Sequence, residues 1–334
     1  MSVNKMNLLV LTDHSTHSEE NSIYLLLREM LRHPLCERID VASRGIDGNK
    51  LFFEKMAAKT LYGTQVSAMF SYREDAYFFK KNLMKLALRN YDAVLMRLPY
   101  PVPKGFWAFL ETTFKHAVIV NKPMGIEEVG NKAFMLNFPD VCPPIQHCVS
   151  IDDIETFRQK FPIVLKPVKN YGGKGIVKIE GDKASVVGGK TVDYADFIKT
   201  ISGTDIDYLG VQFLKNVGMG DKRIVVCNGE ILGASLRTPK KGSWICNISQ
   251  GGSSWADEAD VDEQAIVKRI DPVLQEHGVI FYGIDTLVND DGKRVLSEIN
   301  TASIGGIIRI EEYSKRPVMK RAAELLWDYF SENS

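Results

Sequence analysis

Residues 282–300, YGIDTLVNDDGKRVLSEIN, contain two strand-like runs and the turn between them. The apolar run at 279–281 leads into the first strand, and the cluster NDDG at 289–292 is typical of a tight hairpin turn. The run at 294–299 then returns along the first strand. The stretch therefore predicts an antiparallel hairpin, and the rest of the chain is interpreted around it.

The predicted hairpin carries three oxygen-bearing side chains. Asp285 lies on the outgoing strand, while Glu298 and Asn300 lie two apart on the returning strand and so share one face. Carboxylate and amide oxygens on neighbouring strands suit a hard divalent cation such as Mg²⁺. A polar stripe facing solvent on an edge hairpin is the alternative, because these residue types are common near turns.

Composition sets the broad class of protein. The 334 residues include 42 Lys+Arg and 42 Asp+Glu, and 45% are hydrophobic. A chain of this length and composition is typical of a globular protein with two or three domains. Because acidic and basic residues are equal in number, no net electrostatic field favours nucleic acid or a membrane surface as a partner. No apolar run approaches the ~18 residues of a membrane span. We expect a cytoplasmic protein with reduced thiols, since its cysteines lack metal-ligand spacing: Cys36, Cys142, Cys148, Cys227 and Cys246.

The first part of the chain alternates short apolar runs with amphipathic segments. This alternation predicts an open, mostly parallel sheet covered by helices, that is, an α/β (α+β) fold. No G-x-G-x-x-G follows the first strand, which argues against a Rossmann dehydrogenase. The predicted strands are 7–11, 38–42, 93–96 and 117–120, and the predicted helices are 22–32, 75–89 and 107–114.

Arg97 follows the third predicted strand, where the carboxyl ends of parallel strands gather ligands. An arginine at a strand end can hold a carboxylate through two parallel hydrogen bonds. A surface ion pair is the alternative.

A glycine-rich hairpin begins after a linker at 121–130. The strand 162–167 carries Lys166 and is followed by NYGGKG at 170–175, and 176–179 returns as a strand. Glycines allow backbone N–H groups to approach phosphate oxygens, so this loop is either an anion nest or a flexible turn.

The remaining motifs lie around the opening hairpin. The Asn228-Gly229 turn predicts a hairpin that begins after Asp221-Lys222-Arg223, and 262–277 is a helix with Gly278 at its end. The Gly/Ser-rich segment 238–254 is long enough to be functional or disordered. TASIGG at 301–306 forms a second glycine turn, and 317–330 is an amphipathic helix.

Taken in order, these motifs resemble those of the ATP-grasp superfamily, and within it the prokaryotic glutathione synthetases. The segments that carry the resemblance are VIVNKPMGIEEVGNKAFMLNF, IVLKPVKNYGGKGI, VQFLKNVGMGDKRIVVCNGE and YGIDTLVNDDGKRVLSEINTAS. The resemblance covers residues 90–330 well. It implies an ATP-grasp fold with an N-terminal pre-ATP-grasp substrate domain at 1–121, a small lobe with a flap at 122–207, and a large lobe with the metal site at 208–334.

The resemblance also implies roles for individual residues. Arg223 and Lys166 correspond to catalytic residues, and Asp285, Glu298 and Asn300 to metal ligands. The nucleotide is implied to contact Lys132, Lys166, Tyr171, Gly172, Gly173, Lys174, Gly175, Gln212, Phe213, Leu214, Asp221 and Arg223. The substrates are implied to contact Arg97, Asn247, Ser303, Gly305 and Gly306.

The implied reaction is a carboxylate–amine ligation that uses ATP and Mg²⁺, with Mn²⁺ as an alternative ion. ATP phosphorylates an acid to an acylphosphate, and an amine displaces phosphate to form an amide. The implied substrates are γ-glutamylcysteine and glycine, with no nucleic acid or membrane partner, and a homo-oligomer is left open. The alternatives are a ligase for another amino acid or peptide and a non-catalytic ATP-binding module.

The sequence departs from the family pattern in its loops. Ile245 stands where an arginine is usual, Ile304 replaces a proline, and Arg309 is offset by one residue from the usual arginine. The segment 13–20 is also divergent. These positions are expected to face the acid and the amine, so the resemblance extends to ATP use more fully than to the two substrates.

Overall fold

The computed structural model of the protein describes residues 4–57, 60–169, 175–240, 244, 246 and 253–334. Three sheets follow one another along the chain, of six, six and five strands. Helices cover them, giving the mixed α/β architecture that the sequence predicts.

The first sheet is open and central to the N-terminal part of the chain. Its strands are β1 (Met6–Thr12), β2 (Cys36–Ser43), β3 (Leu61–Gln65), β4 (Met84–Leu86), β5 (Ala93–Arg97) and β6 (Val118–Val120). Their order is β4-β3-β2-β1-β5-β6, with β2, β1, β5 and β6 mutually parallel and β3 and β4 antiparallel. The helices are α1 (Ile23–Leu31), α2 (Lys50–Phe53), α3 (Phe106–Thr113) and α4 (Pro123–Val129). The predicted parallel sheet is confirmed.

The helix predicted at 75–89 is wrong. The segment forms a 3₁₀ turn at Tyr77–Phe79 and then strand β4, which pairs with β3. Ala76 and Asn82 have φ angles of 54° and 55°, which a helix does not admit. Phe79 and Leu86 also pack into two different hydrophobic clusters. The apolar residues of this segment, whose spacing suggested one face of a helix, therefore pack into two separate hydrophobic cores.

The second sheet is antiparallel and contains Lys166. Its strands are β7 (Ile145–Cys148), β8 (Ile163–Pro167), β9 (Val177–Glu180), β10 (Lys183–Val186), β11 (Thr191–Asp193) and β12 (Tyr208–Gln212), in the order β11-β10-β9-β8-β12-β7. Its helices are α5 (Ile151–Arg158) and α6 (Tyr194–Ile201). Ser150 caps α5 by accepting from the Asp153 backbone. Strands β8 and β9 pair on either side of the glycine loop.

The third sheet contains the opening hairpin. Its strands are β13 (Asp221–Cys227), β14 (Glu230–Thr238), β15 (Ser253–Asp257), β16 (Phe281–Val288) and β17 (Arg294–Asn300), in the order β15-β14-β13-β16-β17. The helices that follow or interrupt it are α7 (Val261–Glu276), α8 (Ile307–Ser314) and α9 (Val318–Glu332). Both predicted hairpins, β13-β14 and β16-β17, are present.

The first and third sheets share one hydrophobic core. Leu8 and Val10 of β1 belong to the same buried cluster as Val225 of β13 and Trp327 of α9. The Trp327 indole N–H also donates to the Met30 carbonyl at 3.0 Å. No helix among the described residues is long and apolar enough to cross a membrane.

Candidate functional site

Two β-bulges set which side chains meet in the third sheet. Cys227 pairs with Glu230 beside the turn, but a shift at Val225/Val226 brings Arg237, rather than Leu236, opposite Asp221. A second shift between Asp285 and Thr286 brings Glu298, rather than Ser297, opposite Asp285. Because side chains alternate along a strand, each one-residue shift changes which side chains share a face of the sheet with those of the neighbouring strand.

Strands β13, β14 and β16 bring together a buried cluster of ion pairs. Arg223 donates through Nε and Nη2 to the two oxygens of Asp285, and the Nη2 contact is 2.8 Å. Arg237 holds Asp285 at 3.0 Å and donates to both oxygens of Asp221 at 2.6 and 2.8 Å. The result is the chain Asp221–Arg237–Asp285–Arg223, which we call the arginine–aspartate cluster.

The two carboxylates of this cluster differ in acidity. Burial and the neighbouring charge of Asp285 raise the pKa of Asp221 to about 6, although Arg237 opposes the shift. Burial alone would also raise the pKa of Asp285, but the charges of Arg223 and Arg237 lower it below its ordinary value. Asp285 is therefore the firmly ionised member of the pair.

A deep pocket opens between the second and third sheets on the Asp221 side of the cluster. The lining of this pocket combines polar and apolar side chains. Its charged and hydroxyl-bearing residues are Lys132, Lys166, Asp221, Ser297 and Glu298. The rest of the lining is mainly apolar and includes Val164, Pro167, Ile176, Val211, Gln212, Phe213, Leu214, Trp244 and Leu287. This combination suits a ligand that has both an aromatic ring and anionic groups.

Both lysines of the pocket are influenced by neighbouring groups. Burial lowers the pKa of Lys132, and the charge of Lys166 lowers it further against the opposing effect of Glu298. Lys166 donates to the Ser297 carbonyl at 3.0 Å and to its hydroxyl at 3.3 Å. Ser297 is the extra residue of the β17 bulge, so its carbonyl is turned away from the ladder and serves Lys166 instead.

A second cavity lies on the Arg223 side of the arginine–aspartate cluster. Its walls come from the first and third sheets and from the glycine turn after β17. The residues that line it include Ser18, Glu20, Ser22, Arg97, Arg223, Ser235, Arg237, Ser303, Ile304, Gly305, Gly306 and Arg309. Ser303 and Gly306 adopt φ angles of 46° and 95°, which shape this turn.

Arg97 is the buried cation of this second cavity, with only 3% of its surface exposed. Its Nη2 donates to the Ser22 hydroxyl and the Ile304 carbonyl at 2.9 and 3.0 Å. Within the part of the chain that the structure describes, its Nε and Nη1 have no hydrogen-bond partner. Burial lowers the pKa of Arg97 to about 10, which leaves it charged at neutral pH. A buried guanidinium with unused donors fits an anionic ligand.

Arg309 and Glu20 form an ion pair among the residues lining the same cavity. Arg309 Nη2 lies 2.8 Å from both carboxylate oxygens of Glu20. The pair joins the loop after β1 to α8, which are two of the places where the sequence departs from the family pattern. The arginine that is offset in sequence thus still borders the cavity, with a carboxylate as its partner.

The three proposed metal ligands offer an oxygen donor set that fits Mg²⁺ in kind. Asp285 and Glu298 face each other across β16 and β17, and the Asn300 amide nitrogen lies 3.4 Å from Asp285. Both Asp285 oxygens already accept from arginines, so a cation would share or replace those contacts. Among the described residues no cluster of three or more His, Cys, Asp or Glu is arranged to hold a metal. The site therefore depends on two carboxylates and one amide.

The structure brings most of the predicted residues to one of the two cavities. Lys132, Lys166, Gln212, Phe213, Leu214, Asp221 and Glu298 line the first, and Arg97, Arg223, Ser303, Gly305 and Gly306 line the second. Gly175 is exposed, with a φ of 74°, and does not line either cavity. Tyr171, Gly172, Gly173, Lys174 and Asn247 lie outside the described residues.

The sequence patterns do not predict Arg237, Trp244 or Ser22, and they include Glu20 only as the end of the divergent segment 13–20. The Asn228-Gly229 turn would predict the position of Arg237 only together with the bulge in β14. Trp244 is adjacent to the divergent position Ile245 but has no signal of its own. Ser22 also carries no local signal, since it reaches the cavity through the packing of the first sheet.

The fold is that of the ATP-grasp ligases. The D-cycloserine synthetase DcsG superposes with a TM-score of 0.65 at 12% identity, over 97% of this chain and 99% of that one. An ATP-grasp ligase of Chryseobacterium gregarium, described as associated with a RiPP, superposes with a TM-score of 0.61 at 15% identity over 97% of each chain.

Sequence comparison then gives the family. Residues 131–315 match the model of the ATP-grasp domain of prokaryotic glutathione synthetase. The glutathione synthetase of Bradyrhizobium diazoefficiens is 30% identical over 249 residues, which make up 72% of this chain and 73% of the relative. The chain belongs to the prokaryotic glutathione synthetase family and is an ATP-dependent ligase that forms C–N bonds.

Proposed function

We propose that the protein joins γ-glutamylcysteine to glycine, with ATP as phosphoryl donor and an acylphosphate as intermediate. One observation carries the proposal: the arginine–aspartate cluster separates a lysine-lined pocket from an arginine-lined cavity. ATP in the first and an acid in the second would meet at this cluster. Cations on both sides are what phosphoryl transfer between two anions requires.

We assign the binding of the phosphates to Lys132 and Lys166. Their place in the lining of the pocket and the support of Lys166 by Ser297 favour this role. The base would then lie against Phe213 and beside the backbone of 212–214. Tyr171–Lys174 and Gly175 remain proposed contacts of the phosphates, on the strength of the resemblance alone.

We assign charge neutralisation during transfer to Arg223 and Arg237. The γ-phosphoryl group leaves ADP and bonds to an oxygen of the acid, so negative charge passes from one pocket to the other. Both guanidinium groups lie along this path, and their bonds to Asp285 hold them in place. A divalent ion held by Asp285, Glu298 and Asn300 would add positive charge at the phosphate oxygens; Mg²⁺ is the ion we propose, with Mn²⁺ as an alternative.

We assign the second cavity to the acid and the amine. Arg97 offers unused donors for a carboxylate remote from the reacting one, and the turn at Ser303, Gly305 and Gly306 lies between Arg97 and Arg223. The amine attacks the acyl carbon, loses a proton, and displaces phosphate to leave an amide. Asn247 stays a proposed contact of these substrates.

The proposal is tested by ADP release with γ-glutamylcysteine and glycine, each omitted in turn. Turnover should need both. An acid labelled with ¹⁸O in the reacting carboxylate should deliver one ¹⁸O to the released phosphate, since the acylphosphate oxygen leaves with the phosphorus. ADP release that is independent of both substrates would contradict the proposal.

A ligase for a different amino acid or peptide is the second candidate. The Glu20–Arg309 pair favours it, because this pair puts a carboxylate and a cation beside each other at the divergent positions of the acid cavity. A screen of amino acids and short peptides for acid-dependent phosphate release distinguishes the two. A better acid than γ-glutamylcysteine would replace the first proposal while keeping the assigned phosphoryl transfer.

We further propose that the three sheets correspond to three structural units. Residues 1–121 would be the substrate domain. Strand β12 hydrogen bonds to β7 and β8 of the second sheet, so we place the boundary between the two ATP-grasp lobes after Gln212 rather than after residue 207. Limited proteolysis at the two junctions, followed by mass spectrometry of the fragments, tests this division.

A further inference from the structure

The pocket proposed for the nucleotide is lined by an aromatic residue from an unexpected segment. Trp244 lies between β14 and β15, in the segment that the resemblance associates with the acid and amine substrates. Its side chain nevertheless lines the pocket that contains Lys132 and Lys166, as does that of Cys246. Trp244 and Cys246 therefore contribute to the pocket proposed for the nucleotide.

The indole is positioned by Phe213, at the end of β12. The two ring centroids are 5.9 Å apart and the ring planes are at 82°, which is an edge-to-face pair. In such a pair one ring presents its edge and the other a single face. At least one face of the Trp244 indole is therefore not used by Phe213.

Phe213 is itself held from the second sheet. The Lys178 ammonium lies 3.8 Å from the centroid of the Phe213 ring, a cation–π contact. Lys178 also pairs with Glu180 at 2.7 Å. The phenyl ring thus has contacts from β9 and from Trp244, which restricts how both aromatic rings can turn.

We propose that Trp244 is a nucleotide-binding residue that stacks on the base of ATP. The inference rests on the proposed use of the pocket for ATP. Purine rings stack well on indole, and an aromatic contact of this kind depends little on hydrogen bonding to the base. The same pocket contains the lysines proposed for the phosphates.

The test measures ADP binding by calorimetry, with no acid or amine present. Trp244→Ala should raise the Kd for ADP about tenfold, in the range expected when a base loses an aromatic partner. Trp244→Phe should recover most of the affinity. The matched control is Trp255→Ala, because Trp255 follows the same segment on β15 but is 57% exposed and does not line the pocket.

A second measurement uses tryptophan emission. Titration with ADP should change the emission of the wild-type protein and of Trp255→Phe, and should leave that of Trp244→Phe nearly unchanged. Melting temperatures of all variants in the absence of ligand serve as the folding control. They should agree within a few degrees, since Trp244 is only half-buried.

Three outcomes would overturn the inference. Equal ADP affinity in the wild-type protein and Trp244→Ala would exclude stacking, and tighter binding by Trp244→Ala would show that the indole obstructs the pocket. Equal weakening by Trp244→Ala and Trp255→Ala would show a general effect of the segment. Absence of ADP binding to the wild-type protein would instead remove the nucleotide site, and with it the proposed function.

Discussion

The two cavities on either side of the arginine–aspartate cluster are built in different ways. In the pocket proposed for ATP, Lys166 is held by the bulged residue of the facing strand. In the cavity proposed for the acid, Arg97 is buried, and two of its nitrogen atoms, Nε and Nη1, have no hydrogen-bond partner within the described structure. The first is preorganised by the protein's own contacts, whereas the second offers unused donors to an anion. The difference suggests that contacts within the sheets position the groups for phosphoryl transfer. The hydrogen bonds of the group that would select the acid are completed only by the acid itself.

Glu298→Gln tests the phosphate side and should have the largest effect. Removing one carboxylate charge beside Lys132 should lower kcat about 100-fold, in the range of other losses of a charged group at a reacting centre. The melting temperature should change little, because Glu298 is only partly buried. Steady-state kinetics and thermal melting check both.

The matched control for that variant is Asp291→Asn, in the exposed turn of the same hairpin. It should leave kcat unchanged. A loss of stability in Glu298→Gln that is proportional to its loss of activity would show a structural role for the carboxylate.

Arg97→Met tests the acid side. Loss of charge-assisted hydrogen bonds to a carboxylate should raise the KM for the acid about 30-fold while the KM for ATP stays the same. Arg97→Lys, which keeps the charge but not the planar fork, should be intermediate. Equal changes in the two KM values would contradict the separation of the cavities.

The stability of the ligand-free Arg97→Met variant tests whether Arg97 serves a ligand or the fold. The substitution loses two hydrogen bonds but also removes a buried charge. We expect a melting temperature within a few degrees of the wild-type value. A large loss of stability would mean that Arg97 serves the fold rather than a ligand.

Asp221→Asn tests the cluster between the cavities through the pH dependence of folding. The pKa of Asp221 is raised to about 6 in the folded state, so the folded protein binds this proton more tightly than the unfolded chain does. The contribution of Asp221 to stability is therefore largest below its ordinary pKa of 3.8 and is lost as the pH rises through 6.

The variant lacks this dependence. Its free energy of unfolding, from urea titrations between pH 4 and 6.5, should increase with pH relative to that of the wild-type protein by about 1–3 kcal/mol. Asp285 has a lowered pKa and loses its contribution only as the pH falls, in both proteins alike. Parallel curves for the two proteins would contradict the assignment.

Ser297→Ala should have the smallest effect. Lys166 loses the hydroxyl at 3.3 Å but keeps the carbonyl at 3.0 Å, which the bulge provides without any side chain. We expect the KM for ATP to rise less than about threefold, consistent with the loss of one weak hydrogen bond. A much larger rise would show that the hydroxyl, rather than the bulge, positions the lysine.

The sequence predicted the elements of the fold better than their registers. Apolar runs and turn residues were sufficient for the parallel sheet and for both hairpins. The wrong helix at 75–89 arose because Phe79 and Leu86 belong to separate cores, a fact that only tertiary packing decides. Similarly, the bulge that brings Arg237 opposite Asp221 depends on the packing of the sheet and leaves no local pattern.

The same limit applies to the candidate site. Residues in ordered motifs, such as Lys132, Lys166 and Glu298, were predicted and line the expected pocket. Glu20 and Arg309 are 289 positions apart in sequence, so their pairing follows only from how α8 packs beside the loop after β1. Acid selectivity is therefore the property that sequence patterns describe least.

The packing of α9 also has a consequence for how the protein is made. Trp327 is fully buried in the core that β1 and α1 begin, and it donates to the carbonyl of Met30. A growing chain emerges from the ribosome with β1 and α1 first, and their core lacks this tryptophan until almost the whole chain has been synthesised. We expect the N-terminal sheet to reach its native packing only after translation is nearly finished, and nascent chains that end before α9 to be open to proteases and chaperones.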